Sequence, residues 1–398
     1  MERIYDELIR NHLAEHRQIA LLAGPRQVGK TTTARQAAGD HRYYTWDRQT
    51  DRAVILRGPD AVAAQLGLAE LREAPRHVIF DELHKYRSWR TFLKGFFDVY
   101  EASTRTVVTG SARLGFFRRG GDSLMGRYFL YRMHPISLGE LACTLPPHSA
   151  LREPRRVDAA SIASLIRFGG YPEPFLKSDT RFYNRWRRLR SELLFREDLR
   201  DLTLIQDVGQ VEVLGRLLAN LAGGVLNYSN LASDLNSSVD SARRWTAALE
   251  ALYYCYTIRP WFRNIPKSLR RQPKVYLWDW SMVDRSGPRA ENFVASHLLK
   301  AVHWWTDVGI GTFDLFYLRD KAKREVDFVV TRDGKPWFLV EVKSSTGPLS
   351  PSLEYFQRET GSLHAFQVVM DREYVDADCF ATDRPTIVPA STFLSQLV

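Results

Sequence analysis

Cysteine is scarce in this sequence. Cys143, Cys255 and Cys379 stand alone among 398 residues, with no CxxC spacing. That excludes a disulfide framework and a cysteine-type zinc site, and it fits a reducing compartment. Long hydrophobic runs are missing too: no stretch reaches the roughly 18 uninterrupted apolar residues that a membrane span requires. The first residues carry no signal-peptide h-region. Low-complexity tracts and internal repeats are absent, so nothing reads as disordered. The expectation is a soluble cytoplasmic protein without a membrane partner.

Positive charge is in excess. Lys and Arg number 56 against 46 Asp and Glu, a net charge of +10. A basic balance favours polyanions, because Lys and Arg displace the counterions condensed on phosphates. The alternative is an arginine-rich, solvated surface. The length suggests two or three domains.

Short apolar runs alternate with stretches of helical length. Residues 1–18 read as a helix with Leu8, Ile9 and Leu13 on one stripe. Ile19–Ala23, His77–Phe80 and Thr106–Thr109 read as buried parallel strands, with helices at Thr33–Ala38 and Trp89–Tyr100 between them. Each strand ends in polar residues or glycine, and ligands on such sheets bind outside the carboxyl ends of the strands. Prolines and charges over 144–157 mark a domain boundary. Residues 160–256 read as mostly helical, with a sharp turn at Phe168-Gly169-Gly170-Tyr171-Pro172, and 275–398 as mixed helix and strand.

Gly24-Pro25-Arg26-Gln27-Val28-Gly29-Lys30-Thr31 matches G-x-x-x-x-G-K-[ST] between a strand and a helix. Gly24 and Gly29 let the backbone curl so that its N–H groups converge on phosphate oxygens. Lys30 supplies a point charge for the β- and γ-phosphates, Thr31 a hydroxyl for Mg²⁺, and Thr32 a second hydroxyl within reach of the α-phosphate. The helix directs its N-terminal dipole at the anion. Asp81 and Glu82 follow the second strand. Asp81 is assigned to the metal and Glu82 to the attacking water; the alternative is a helix cap of two acids. Thr109 and Ser111 close the third strand, placed to bond that water or the γ-phosphate unless they merely cap it. Arg127 is the first choice for neutralising transition-state charge, with Arg113, Arg118, Arg119 and Arg132 competing.

These segments resemble a group of prokaryotic AAA-superfamily ATPases whose C-terminal half is a domain of unknown function. The resemblance rests on Gly24–Thr31, Val78–Lys85, Val108–Ser111, Ser123–Arg127 running into His134–Leu141, Gly169–Pro172, Glu291–Phe293 and Glu341–Ser344. It implies an α/β chain with three parts. These are an AAA-type P-loop NTPase domain with a parallel sheet (1–145), a helical winged-helix domain (158–260) and a restriction-endonuclease-like α/β domain (261–398). ATP and Mg²⁺ are the implied cofactors. DNA or another nucleic acid is an implied partner, and AAA relatives often pair an arginine of one subunit with the nucleotide of the next, so a homo-oligomer is open.

In the middle segment, Ser229–Leu235 and Val239–Leu252 read as two helices joined by a tight turn, with Ser229 as cap and a strand following at 253–258. Arg243 and Arg244 on the second helix are then the nucleic-acid candidates. Asp240 on the same face speaks for a protein-packing module instead. The stretch 181–190 interleaves aromatics with arginines and suits either a phosphate backbone or a solvated helix with its aromatics buried. Residues 259–274, with Arg263, Lys267, Arg270, Arg271 and Lys274, read as an exposed basic loop.

Glu325–Val330 and Trp337–Lys343 read as a hairpin with carboxylates inside it. A charge in a buried strand is costly unless paired or metal-bound. Asp327 and Glu341 are assigned to a Mg²⁺, with Glu291 as a further ligand and Lys343 positioning water, as in the D…(E)xK core of restriction-type nucleases. The alternative is a charge network that closes the core. The function expected is an ATPase whose nucleotide state controls a nucleic-acid-binding or nuclease-like domain. The rival is a signalling or scaffolding ATPase whose C-terminal parts only bind proteins.

Overall fold

The computed structural model of the protein describes residues 1–70, 74–111, 124–199, 207–262 and 272–398. Arg113, Arg118, Arg119 and Ser123, and the basic residues Arg263, Lys267, Arg270 and Arg271, lie outside them. Two compact units divide the chain: Met1–His134 with Thr144–Pro146, and Pro135–Cys143 with Pro147–Val398.

The first unit is built on five parallel strands: β1 (Ile19–Ala23), β2 (His41–Thr45), β3 (Arg76–Asp81), β4 (Thr104–Gly110) and β5 (Tyr128–Arg132), in the order β2-β3-β4-β1-β5. All five residues of β1 are buried, as a central strand covered on both faces requires. The helices are α1 (Ile4–Glu15), α2 (Lys30–Ala38), α3 (Gln49–Leu56), α4 (Pro59–Leu66) and α5 (Trp89–Tyr100). On α5, Trp89, Phe92, Leu93, Phe96 and Phe97 fall on one face and are buried; Phe80 of β3 meets Phe92 and Phe96 edge-on at 5.5 Å each. Strands β2 and β5 are additions to the three read from sequence.

In the second unit, α6 (Leu138–Ala142), α7 (Ala159–Phe168), α8 (Pro172–Lys177), α9 (Thr180–Leu193), α10 (Val208–Asn220), α11 (Tyr228–Asp234) and α12 (Val239–Ala251) precede a seven-stranded mixed sheet. Its strands are β6 (Cys255–Pro260), β7 (Lys274–Leu277), β8 (Phe313–Arg319), β9 (Glu325–Arg332), β10 (Lys335–Lys343), β11 (His364–Val369) and β12 (Thr386–Pro389), in the order β12-β11-β10-β9-β8-β6-β7. Three helices accompany it: α13 (Ser286–Asp307), α14 (Pro351–Thr360) and α15 (Ala390–Ser395).

Two expected boundaries move. Residues 135–143 belong to the second unit because their polar groups find buried partners there. Lys300 Nζ lies 2.5 Å from Glu140 and 2.9 Å from Ser137 Oγ, and His297 Nε2 accepts from the Leu138 N–H at 2.9 Å. The break expected after residue 260 falls inside a sheet. There β6 pairs antiparallel with β7 and parallel with β8.

The two-helix motif forms with a different cap. Asn227 Oδ1, not Ser229, accepts from the Ser229 and Asn230 N–H groups, and Ser238 caps α12. Asn236 turns the chain at φ 49°. Ala242, Trp245 and Leu249 are buried, leaving Asp240, Arg243 and Arg244 exposed. On α9, Tyr183 and Trp186 are buried, so neither is presented for stacking on a base, while Arg190 pairs with Asp279 at 3.0 Å. Among the described residues no helix is long and apolar enough to cross a membrane. Cys255 and Cys379 are buried, and burial pushes the Cys379 thiol up to about 12.

Candidate functional site

The loop Gly24–Thr31 leaves the carboxyl end of β1 and enters α2. Its curl needs two residues in the left-handed region, Gln27 (φ 62°) and Gly29 (φ 106°), the latter directly before the first turn of α2. Gly24 has a different reason. A Cβ there would lie 2.3 Å from the Met133 carbonyl oxygen, because the Met133 N–H bonds the Ala23 carbonyl at 2.7 Å and draws the two segments together. Lys30 is buried and donates to the carbonyls of Gly24 (2.9 Å) and Pro25 (2.7 Å), so its ammonium is held over the loop it serves.

Strand β3 delivers Asp81 to the same edge. Thr31 Oγ1 donates to Asp81 at 3.2 Å from each carboxylate oxygen, which joins the loop to the acid. Thr109 also donates to Asp81 Oδ1, and Tyr43 donates to Oδ2 at 2.5 Å. Parallel register makes this possible: Thr45, Asp81 and Thr109 are neighbours across β2, β3 and β4. Tyr43 was not read from the sequence because β2 was not; its Tyr-Tyr-Thr run after Gly39 is the signal that could have found it. Burial raises the Tyr43 phenol and the bond to Asp81 raises it further, so it stays a donor.

Glu82 takes the left-handed conformation (φ 55°), with its N–H bonded to the Thr109 carbonyl at 3.2 Å. Burial raises its carboxyl, opposed by Lys30 and Lys85. Its Oε2 is buried with no hydrogen-bond partner among the described residues, with Lys85 Nζ at 3.6 Å and His84 Nε2 at 3.7 Å. Ser111 Oγ stands 3.4 Å from His84 Nε2. A raised carboxyl beside a phosphate loop suits a proton acceptor for water. Pro25, Arg26, Val28 and Thr32 complete the loop. These residues fit a nucleotide and Mg²⁺: a left-handed loop, a lysine and the N-terminus of a nine-residue helix face an acid bonded to the Thr31 hydroxyl.

Arg127 does not join this group within one chain. It precedes β5 at the amino edge of the sheet, where its carbonyl accepts from Ile19 N–H and its guanidinium pairs with Asp98 at 2.5 and 3.0 Å. The five residues of β5 place it about 16 Å from the loop edge. Arg132 is the described arginine on the loop edge, in register with Ala23.

A residue missed in sequence lies beneath the loop. Arg3 is 5% exposed and donates to the carbonyls of Val28 (2.7 Å) and His134 (2.8 Å). Nothing in its local pattern marks a buried arginine.

The carboxylates of the second unit do gather, but around a cation of the chain itself. Lys274 Nζ lies 2.6 Å from Glu325, 3.2 Å from Glu291 and 3.6 Å from Asp327. Asp327 Oδ2 accepts from Val342 N–H at 2.9 Å, and Lys343 pairs with Glu341 at 2.8 Å. Among the described residues no group of three or more His, Cys, Asp and Glu side chains is arranged to hold a metal. Asp327 and Glu291 thus share the Lys274 ammonium with Glu325, while Glu341 pairs with Lys343, the arrangement of a charge network.

Residues 16–142 match the family model described as an AAA domain, residues 160–286 a domain of unknown function (DUF8612) and residues 286–390 another (DUF4143). Two uncharacterized proteins, one of Mycobacterium bovis and one of Mycobacterium tuberculosis, are each 24% identical over 364 residues, covering 87% of this chain and 76% of theirs. Among solved structures, similarity extends to the Walker-type ATPase paby2304 of Pyrococcus abyssi (12% identity, TM-score 0.41, 70% of this chain and 93% of that one). It extends also to the Orc1 protein of Aeropyrum pernix in complex with DNA (13% identity, TM-score 0.33, 73% and 92%). The parallel sheet and the glycine loop at its edge agree with the AAA-domain match over residues 16–142.

Proposed function

We propose that this chain hydrolyses ATP with Mg²⁺, and that its nucleotide state controls nucleic-acid contact by the second unit. One observation carries the hydrolase half: the Thr31 hydroxyl, at the start of α2, meets Asp81, at the tip of β3. In this reading the loop N–H groups and Lys30 bind the phosphates. Mg²⁺ is held by Thr31 and, through water, by Asp81. Glu82 takes a proton from the attacking water, with Thr109 fixing Asp81 and Ser111 fixing His84 nearby. Of the described candidates for the transition-state arginine, Arg132 is the one whose backbone lies in register with the loop edge. Arg127 has a phosphate role only if it acts on another copy, which would make the active form a homo-oligomer.

The second unit is read as a winged-helix element, α11 and α12 with the β6–β7 pair, on a restriction-endonuclease-like sheet. Exposed Arg243 and Arg244 and the +10 net charge support DNA as its partner. Arg243 also lies over the Tyr228 ring at 5.4 Å, which presents the two side chains together. The test is the ATPase rate with and without duplex DNA, for the native chain and Lys30→Ala. Stimulation by DNA that disappears in Lys30→Ala supports the coupling. A second reading, a scaffolding ATPase whose second unit binds protein, is favoured by the exposed Asp240 on the same helix. The absence of a DNA mobility shift at low salt in every nucleotide state would select it.

A further inference from the structure

We infer that Lys274 is a built-in cation that ties up Asp327 and Glu291, two of the carboxylates a D…ExK metal would need, so that the second unit binds its partner without cutting it. The inference rests on the restriction-endonuclease-like reading of that unit and is independent of the ATPase reading.

Lys274 opens β7, next to Ile258 of β6, and its side chain is 4% exposed. Three carboxylates from two other elements converge on its Nζ: Glu291 of α13, and Glu325 and Asp327 of β9. The Tyr317 ring covers a further side, with its centroid 5.6 Å away. Glu291 Oε1 also accepts from Tyr276 OH at 2.8 Å, and Asp327 Oδ2 from the Val342 N–H. The ammonium reaches Glu325 and Glu291 at hydrogen-bond distance and Asp327 as an ion pair at 3.6 Å.

A divalent ion entering this cluster would have to displace a buried ammonium or sit against it. Either is unfavourable: the first strands a charge in the interior, the second sets like charges together at close range. In the hairpin itself Lys343 pairs with Glu341 at 2.8 Å, which occupies one oxygen of that carboxylate. A domain that keeps the nuclease scaffold while replacing its metal with a lysine retains a binding surface and loses the means to activate water.

The experiment titrates Mn²⁺ into the full, nucleotide-free chain and counts the sites that depend on Asp327. The native chain and Asp327→Asn are expected to take up the same number of ions. Lys274→Ala is expected to gain one Mn²⁺ per chain, lost again in Lys274→Ala with Asp327→Asn. Mn²⁺ uptake by the native chain that falls by one ion in Asp327→Asn overturns the inference. So does plasmid cleavage by the native chain that Asp327→Asn abolishes. A folded Lys274→Ala chain that gains no ion overturns it as well. Should Lys274→Ala fail to fold, the native and Asp327→Asn arms still decide. Loss of ATPase activity in Lys30→Ala bears on the N-terminal reading and leaves this one untouched.

Discussion

Thr31 Oγ1 and Asp81 meet at 3.2 Å although 50 residues separate them, one opening a helix and the other closing a strand. The pair couples the phosphate loop to the acid that orients the metal's water. Asp81→Asn keeps the shape and removes the charge, while Thr31→Val removes a metal ligand. Outer-sphere partners of metals typically carry 10–100-fold of affinity, so Asp81→Asn is expected to raise half-saturating Mg²⁺ roughly 10- to 100-fold, and Thr31→Val, which loses the proposed direct ligand, by at least as much. ATP binding measured without Mg²⁺ should be nearly unchanged. If both affinities fall together, the pair is a structural strut and not a metal device.

Glu82 is the group to which hydrolysis, as distinct from binding, is assigned. Glu82→Gln preserves size and leaves the left-handed backbone demand as it was, but cannot accept a proton. A positioned general base contributes about 10²–10⁴-fold, and turnover should fall by that order while ATP affinity holds. Single-turnover hydrolysis alongside equilibrium ATP binding separates the two. Undiminished turnover would move the base elsewhere, with His84 next in line because it lies 3.7 Å from Glu82 and 3.4 Å from Ser111.

Arg3 braces the loop from below. In Arg3→Met, the stem packs but the carbonyls of Val28 and His134 lose their donor in the interior. An unsatisfied buried group costs about 1–3 kcal/mol, so a loss of roughly 2–4 kcal/mol in stability is expected, with weaker ATP binding as the loop loosens. Urea unfolding and nucleotide titration on the same variant check both halves. A variant as stable as the native chain would mean that water replaces the guanidinium.

The phosphate loop is legible in sequence because its chemistry is local: eight consecutive residues between a strand and a helix carry the anion nest. Asp81 and Glu82 are placed by the same local logic, since a strand read from the apolar run before them sets them at its carboxyl end. Tyr43, Arg3 and Lys274 are not legible. Each acts through partners from 25 to 131 residues away for Arg3, 38 for Tyr43, and 17 for the Lys274–Glu291 pair, and no spacing encodes such contacts. The D…ExK hairpin shows the hazard in reverse. Asp327, Glu341 and Lys343 satisfy the pattern, but what the cluster holds is decided by Lys274 on another strand. Arg127 fails as an intrachain partner because a five-residue strand separates it from the loop edge, a distance that motif order does not reveal.

His297 offers a test of how the 135–143 segment is held in the second unit. Its ring is buried, with Nδ1 against the Phe293 carbonyl at 2.7 Å and Nε2 accepting from the Leu138 N–H at 2.9 Å, so the imidazole is neutral. Burial lowers it to about 3; the Phe293 carbonyl opposes this and Lys300 adds to it. The sign follows from proton counts. Below the ordinary value of 6.5 the unfolded chain binds a proton that the folded chain refuses. The contribution is therefore complete above pH 6.5 and is lost as pH falls from there toward 3, at up to about 1.4 kcal/mol per pH unit. His297→Gln keeps an acceptor for the Leu138 N–H and cannot titrate, so it should cost stability near neutrality and less with each step downward. Urea melts of both chains at about pH 7.5, 6 and 5 read the difference, and the carboxylates common to both cancel from it. Curves that stay parallel across that range would show that the ring takes up its proton as readily in the folded chain as in the unfolded one, and that Leu138 is held by something other than a neutral imidazole.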